Sequence, residues 1–521
     1  MKTQNAVVTR IAMIVALGGF LMGFDASVIS GVVRFIEPEF GLSKIQLGWA
    51  VGSLTLTATL AMMIAGPLSD RFGRRTILKA AAILYAVSAL GSALAPDFTT
   101  LVIARMIGGF GVGASLIIAP MYIAEIAPPK IRGRLVSFNQ LNIVIGISAA
   151  FFTNYLILQW SQSDAAWAQA LMFSEYTWRW MLGLETLPAV IYFFGLYFVP
   201  KSPRWQIMKG SVPEARITLN RIYGEDETDR QIEDVLRSLK ADEKKEKVSL
   251  KEIFHPSLRL VLGIGVVLAV LQQITGINAV FFYAPMIFEQ SGIGTDASFM
   301  QAILVGLTNL VFTIVAMLLI DKLGRKPLLV IGMSGITLMM MLLAWGFHSA
   351  TYELSSEDIQ AMEIPAETRA VAGSLAGVPF ASDVAFKRAL AETLGTEAAV
   401  EFESAFITAA IDINPTLILF GILGFVASFA ISIGPVMWVM FSELFPLRVR
   451  GLAISFAGFI NSGVSFGVQL VFPWELAVLG NSITFLIYGV FAAIGLVFIW
   501  RMVPETKNKT LEELEQQLVK K

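Results

Sequence analysis

Between residues 266 and 285 the chain reads VVLAVLQQITGINAVFFYAP, an apolar stretch interrupted by Gln272, Gln273, Thr275 and Asn278. A carboxamide offers a donor and an acceptor together, and so can pair with any group that does the same, such as a hydroxyl. Left unpaired in an apolar medium, each amide would cost several kcal/mol. Two arrangements avoid that cost. The amides can bond to neighbouring helices, worth roughly 0.6 kcal/mol apiece in membranes. Or they can line a hydrated hollow where a polar ligand replaces the water. On a regular helix Gln272 and Asn278 stand roughly 120° apart, so a shared hollow needs a break between them, and Thr275-Gly276 is the place for it. A second group carries charge. Asp25 lies inside an apolar run, roughly 12 Å from the outer end of its helix, and Arg105 inside another, about seven residues from the outer start of its helix, so the depths match at the α-helical rise. A carboxylate at such depth is functional by default. Arg105 favours its ionised form and burial the neutral one, so Asp25 is suited to taking up a proton on one side and releasing it on the other. A static ion pair, with Arg105 snorkelling to the surface, is the alternative.

The elements that hold these groups follow from composition. Of 521 residues 55% are hydrophobic and only 15% charged, with mean hydropathy +0.69; a soluble domain carries roughly 25% charged residues. The chain is an all-α membrane protein. Spans of about 20 apolar residues fall near 11–33, 48–67, 77–95, 98–123, 137–158 and 180–199, then 260–285, 301–320, 327–347, 416–441, 452–472 and 481–503. Arginines and lysines such as Arg71, Arg75, Lys79, Arg134, Lys322 and Lys326 gather on the side of the termini, which the positive-inside rule makes cytoplasmic. No cysteine and only two histidines, His255 and His348, are present, so thiol chemistry and a convincing metal site are excluded, and no cofactor is expected. Nothing points to nucleic acid; the partners expected are the lipid bilayer, a small solute and protons, and the protein is expected to be a monomer.

The chain is duplicated. Asp70-Arg71-Phe72-Gly73-Arg74-Arg75 recurs as Asp321-Lys322-Leu323-Gly324-Arg325-Lys326. EIAPPKIRG from Glu125 recurs as ELFPLRVRG from Glu443, and Val199-Pro200 recurs as Val503-Pro504. The offsets are 251, 318 and 304 positions, which places an insertion in the second half, at 348–415, and a smaller one in the first half near 160–178, both expected on the external side. The expected units are a six-helix bundle over 1–200, a cytoplasmic linker with short helices over 201–257, a second bundle over 258–503, and a cytoplasmic tail over 504–521. Asp70, Arg74, Glu125 and Arg132, with Asp321, Arg325, Glu443 and Arg450, are expected to form ion pairs that act as a cytoplasmic gate.

With GGFLMGFDASVISG, GPLSDRFGRR, RMIGGFGVG, PMYIAEIAPPKIRG, QQITGINAVFFYAP, DKLGRKP, GPVMWVMFSELFPLRVRG and VPETK in order, the chain resembles the sugar-porter branch of the major facilitator superfamily, above all its bacterial proton-coupled sugar symporters. That resemblance implies twelve helices in two pseudo-symmetric bundles that rock around a central site. It implies sugar ligands at Gln272, Gln273, Asn278, Asn309, Trp438 and Asn461, Phe429 as a lining aromatic, and Glu185 as an accessory acid beside Asp25 and Arg105. It also exposes departures: Ile147, Met22, Phe282 and Ser462 stand where the family usually has a glutamine, an aromatic, a tyrosine and a tryptophan. The expected function is import of a sugar, polyol or glycoside with protons across the inner or plasma membrane. A proton-independent uniporter and a non-transporting sensor are the alternatives, and a membrane enzyme lacks any nucleophile–base grouping.

Overall fold

The computed structural model describes residues 2–243, 249–362, 364–446, 448–509 and 513–514, so most of the tail beyond residue 509 lies outside the described residues. Among the described residues, eleven helices are long and apolar enough to cross a membrane. The first to fifth spans are Ala6–Glu39, Lys44–Phe72, Arg74–Ala93, Phe98–Ile126 and Ile131–Ser161. The seventh to twelfth are Pro256–Glu289, Thr295–Leu323, Arg325–His348, Pro415–Leu444, Arg450–Val478 and Gly480–Met502. The sixth apolar run is divided into Thr177–Gly183 and Thr186–Gly195. Pro188 fits the restart: it has no N–H and its ring would collide with the carbonyl four residues back, so it sits most easily in a first turn. Side chains such as Phe198, Leu318 and Trp500 are more than 60% exposed, as apolar groups facing lipid would be.

Local signals start and stop these helices. Asp97 accepts a hydrogen bond from the Thr100 N–H at 2.9 Å and opens the fourth span. Asn414 caps the tenth, with Pro415 in its first turn. The two copies of the D-x-x-G motif turn alike: Gly73 has φ +94° and Gly324 φ +96°, a region that costs other residues roughly 1–2 kcal/mol.

The chain gathers into two compact units. The first comprises Met1–Ala26, Ser53–Ala150 and Leu182–Ser249; the second comprises Ser27–Gly52, Phe151–Met181 and Leu250–Lys521. In the first unit the core holds Val15, Tyr85, Ile118, Tyr122 and Tyr192. The same unit holds the helices Val212–Tyr223 and Glu225–Glu243. In the second unit the 348–415 insert folds on a core of its own built on Tyr352, Leu354, Phe386 and Phe406. A two-residue antiparallel ribbon closes its neck, pairing Thr351 with Asp412 and Tyr352 with Ile411.

Candidate functional site

Within the first unit the Arg105 Nη1 lies 3.4 Å from Asp25 Oδ1, and both residues are 1% exposed. Gly108, one helical turn beyond Arg105, makes room for the pair: a Cβ there would fall 2.9 Å from Asp25 Oδ2 and 2.4 Å from Ser88 Oγ. Glu185, at the break in the sixth run, is equally buried and within electrostatic reach of both. Asp25 Oδ2 and Glu185 Oε1 are buried and meet no hydrogen-bond donor among the described residues. A buried oxygen of this kind carries a desolvation cost that a proton can relieve.

Within the second unit the seventh span breaks at Thr275-Gly276, dividing Arg259–Ile274 from Ile277–Glu289. Gly276 takes φ +90° against the ring of Tyr488. The break swings Asn278 round, so that its Nδ2 donates to Gln273 Oε1 at 2.8 Å and to Ser465 Oγ at 2.6 Å. Gln273 Nε2 donates to Gln272 Oε1 and Asn461 Oδ1, both at 3.2 Å. Asn461 Nδ2 donates to Gln272 Oε1 and to the Ala269 carbonyl, both at 2.8 Å. Gln272 Nε2 reaches the carbonyls of Ile433 and Gly434 at 3.3 and 3.0 Å. Those carbonyls stand just past a second break, at Ser432 in the tenth span, with φ −125° and ψ −105°.

Of the two arrangements open to these amides, this structure shows them bonded to one another and to neighbouring helices. Gln272 and Gln273 are 5% and 8% exposed and are bonded mainly to one another and to Asn461. Buried polar groups without a ligand satisfy themselves, and here three carboxamides do so in a closed ring. One acceptor is left over: the half-buried Asn278 takes no bond on its carboxamide oxygen among the described residues. Trp438, 46% exposed, presents an open aromatic ring. Phe429 packs against Gly434, and Asn309 is buried on the eighth span outside the amide ring.

The duplicated charges form two matching networks, one in each unit. Arg74 pairs with Asp70 at 2.7 Å and Glu125 at 2.9 Å, and Ser202 donates to Glu125. Arg325 pairs with Asp321 at 3.2 Å and Glu443 at 2.8 Å, and Thr506 donates to Glu443 at 2.6 Å. Arg132 and Arg450 each bond a carbonyl five residues back, those of Ala127 and Phe445. Each network ties the D-x-x-G turn to the fourth or tenth span of its own half.

Residues 11–368 and 395–518 match the sequence profile of the family described as sugar (and other) transporter. The chain belongs to that family. Among its relatives, the arabinose-proton symporter of Bacillus subtilis is 35% identical over 98% of this chain and 95% of its own length. The D-xylose-proton symporter of Escherichia coli is 34% identical over 99% and 97%. The inward open conformation of the xylose transporter XylE from E. coli aligns with a TM-score of 0.73 at 32% identity, covering 98% of this chain and all of that one. The structure of XylE bound to 6-bromo-6-deoxy-D-glucose aligns at 0.68, also at 32% identity, covering 99% and 100%. The fold is thus that of a multi-pass sugar transporter of the major facilitator superfamily. Of the family's usual pocket positions, Phe282 is buried, and Ile147, Met22 and Ser462 are half-buried.

Sequence reasoning missed Ser465, Gln469 and Glu505. The first two were visible as a polar stripe with Asn461 at four-residue spacing, and Gln469 Nε2 donates to Ser465 at 2.8 Å. Glu505 accepts from the backbone N–H groups of Arg325 and Lys326 at 3.1 and 3.0 Å. A carboxylate there complements the start of the ninth span.

Proposed function

We propose that the chain is a secondary active transporter that imports a monosaccharide, or a related polyol or glycoside, together with protons by alternating access. It works as a monomer in the inner or plasma membrane with both termini cytoplasmic, and it needs no cofactor. The observation that carries this reading is the Asp25–Arg105 pair, buried and only partly satisfied, in a chain whose relatives are named as arabinose- and xylose-proton symporters.

In this reading a proton on Asp25 releases its hold on Arg105, and Glu185 modulates the exchange. The sugar enters beside Asn278 and Trp438. Its hydroxyls trade places with the bonds that Gln272, Gln273 and Asn461 make to one another, and each amide gives up one partner for another of the same kind. Trp438 covers an apolar face of the sugar ring, with Phe429 and Asn309 completing the lining. The Arg74 and Arg325 networks brace the cytoplasmic gate. The likeness to an inward open structure fits an outer side held shut, since Arg34 bonds Glu289 and Thr295.

The test is uptake by the purified protein in proteoliposomes loaded with a pH-sensitive dye. Arabinose, xylose or glucose added outside should carry protons in and acidify the lumen. Sugar uptake without acidification identifies a uniporter, and binding without uptake identifies a sensor.

A further inference from the structure

The insert lies partly outside the family's pattern, since the profile passes over residues 369–394, and that segment supplies Lys387. Its Nζ pairs with Glu403 Oε1 at 3.1 Å, inside the insert. Glu403 Oε2 in turn lies 3.8 Å from the Nζ of Lys44, which opens the second span and also bonds Glu37 at the close of the first. Gln290, at the end of the seventh span, donates to Glu403 Oε1 at 3.1 Å. Glu403 is thus the hub where the insert meets the ends of three spans. A second anchor fixes the insert to the twelfth: Asp383 Oδ2 accepts from the Asn481 N–H at 3.0 Å and its Nδ2 at 2.8 Å.

All these residues fall in the second compact unit, which takes in residues 27–52 of the first half. Just below the cluster, Gly48 lies so close to the eleventh span that a Cβ would fall 2.0 Å from the Leu470 carbonyl oxygen. A cavity of about 210 Å³ borders the cluster, lined by Lys44, Lys387, Arg388 and Glu403 over Met286 and Pro473. Solvent that enters there can replace the ion pairs as they part, which suits a contact made to be broken.

We propose that the 348–415 insert is a clasp on the external gate: through Lys387 and Glu403 it grips Lys44, and each transport cycle breaks and re-forms this cluster. The clasp rests on the alternating-access reading above. It gives the insert a task, holding shut the end of the path that a sugar enters, and it makes Lys44, Lys387 and Glu403 gating residues for this chain.

The chain has no cysteine, so a single Leu470→Cys reports the gate through its rate of reaction with a membrane-impermeant maleimide added outside. Adding Glu403→Gln or Lys387→Gln should speed labelling about tenfold, the equilibrium shift that about 1.4 kcal/mol produces. Cross-linking Lys44→Cys to Glu403→Cys with a cleavable bifunctional thiosulfonate should stop sugar uptake, and a reductant should restore it. Unchanged labelling with a lowered melting temperature would make these bonds structural only and overturn the clasp; uptake that survives the cross-link would do the same. If the unmodified protein moves no sugar, the transport reading fails, and the labelling contrast still decides whether the insert holds the gate.

Discussion

Replacing Gly276 by alanine tests whether the break in the seventh span organises the proposed sugar site. At φ +90° a residue with a Cβ pays roughly 1–2 kcal/mol. The new methyl would stand 2.7 Å from Tyr488 Cδ2. That ring cannot slip aside easily, because its hydroxyl donates to Glu475 at 2.7 Å and its face stacks on Phe472. Overpacking of this kind costs about 1–3 kcal/mol, so the total is about 2–5 kcal/mol. If the helix straightens to escape the strain, Asn278 turns roughly 140° away from Gln273 and the leftover acceptor leaves the site. Thermal unfolding of the purified protein should drop by about 2–5 °C, and sugar affinity should fall at least about tenfold, the equivalent of one lost hydrogen bond. Gly263→Ala, in the same span with open space around it, should be neutral or stabilising by about 1 kcal/mol. Equal melting temperatures and equal affinities for the Gly276 and Gly263 variants would refute the role given to the break.

Three further outcomes follow from the same geometry. Asn461→Leu removes partners from Gln272, Gln273 and the Ala269 carbonyl, so it should cost about 1–3 kcal/mol and weaken sugar binding measured by calorimetry. Glu125→Gln and Glu443→Gln loosen equivalent networks, and each should slow uptake and cost a similar amount of stability, about 1–3 kcal/mol, read as similar drops in unfolding temperature. Glu403 feels burial that raises its pKa, but Lys387 and Lys44 outweigh it and hold the carboxyl at about 2. Its ion pairs therefore contribute fully above the ordinary carboxylate range and fade only as pH falls towards 2. The gap in unfolding temperature between wild type and Glu403→Gln should be constant from pH 5 to 8, and a gap that closes across that range would show the carboxyl titrating there.

Much of this was legible from residue types alone. The repeated motifs located both D-x-x-G turns, because only glycine sits comfortably at the positive φ that each turn takes. Helical rise set Asp25 level with Arg105, and helical angle placed the break at Thr275-Gly276. The break at Ser432 was less visible, although Gly434-Pro435 marks it: Pro435 cannot donate to the carbonyl four residues back, so the tenth span gives way there. The self-paired state of the amides was not legible, since spacing along one helix says nothing of Asn461 and Ser465 on another. The insert's grip was hidden for the same reason. Lys44 and Glu403 are more than 350 positions apart, and a lysine at a helix start reads as a solvated charge until the fold brings a carboxylate to it.

The most direct measurement compares wild type with Asp25→Asn in vesicles under an imposed proton gradient, following both uphill accumulation and sugar exchange across equal concentrations. Symport through Asp25 requires that the variant lose accumulation, and its dependence on external pH, while exchange persists. Accumulation by Asp25→Asn against a sugar gradient, still driven by protons, would contradict it.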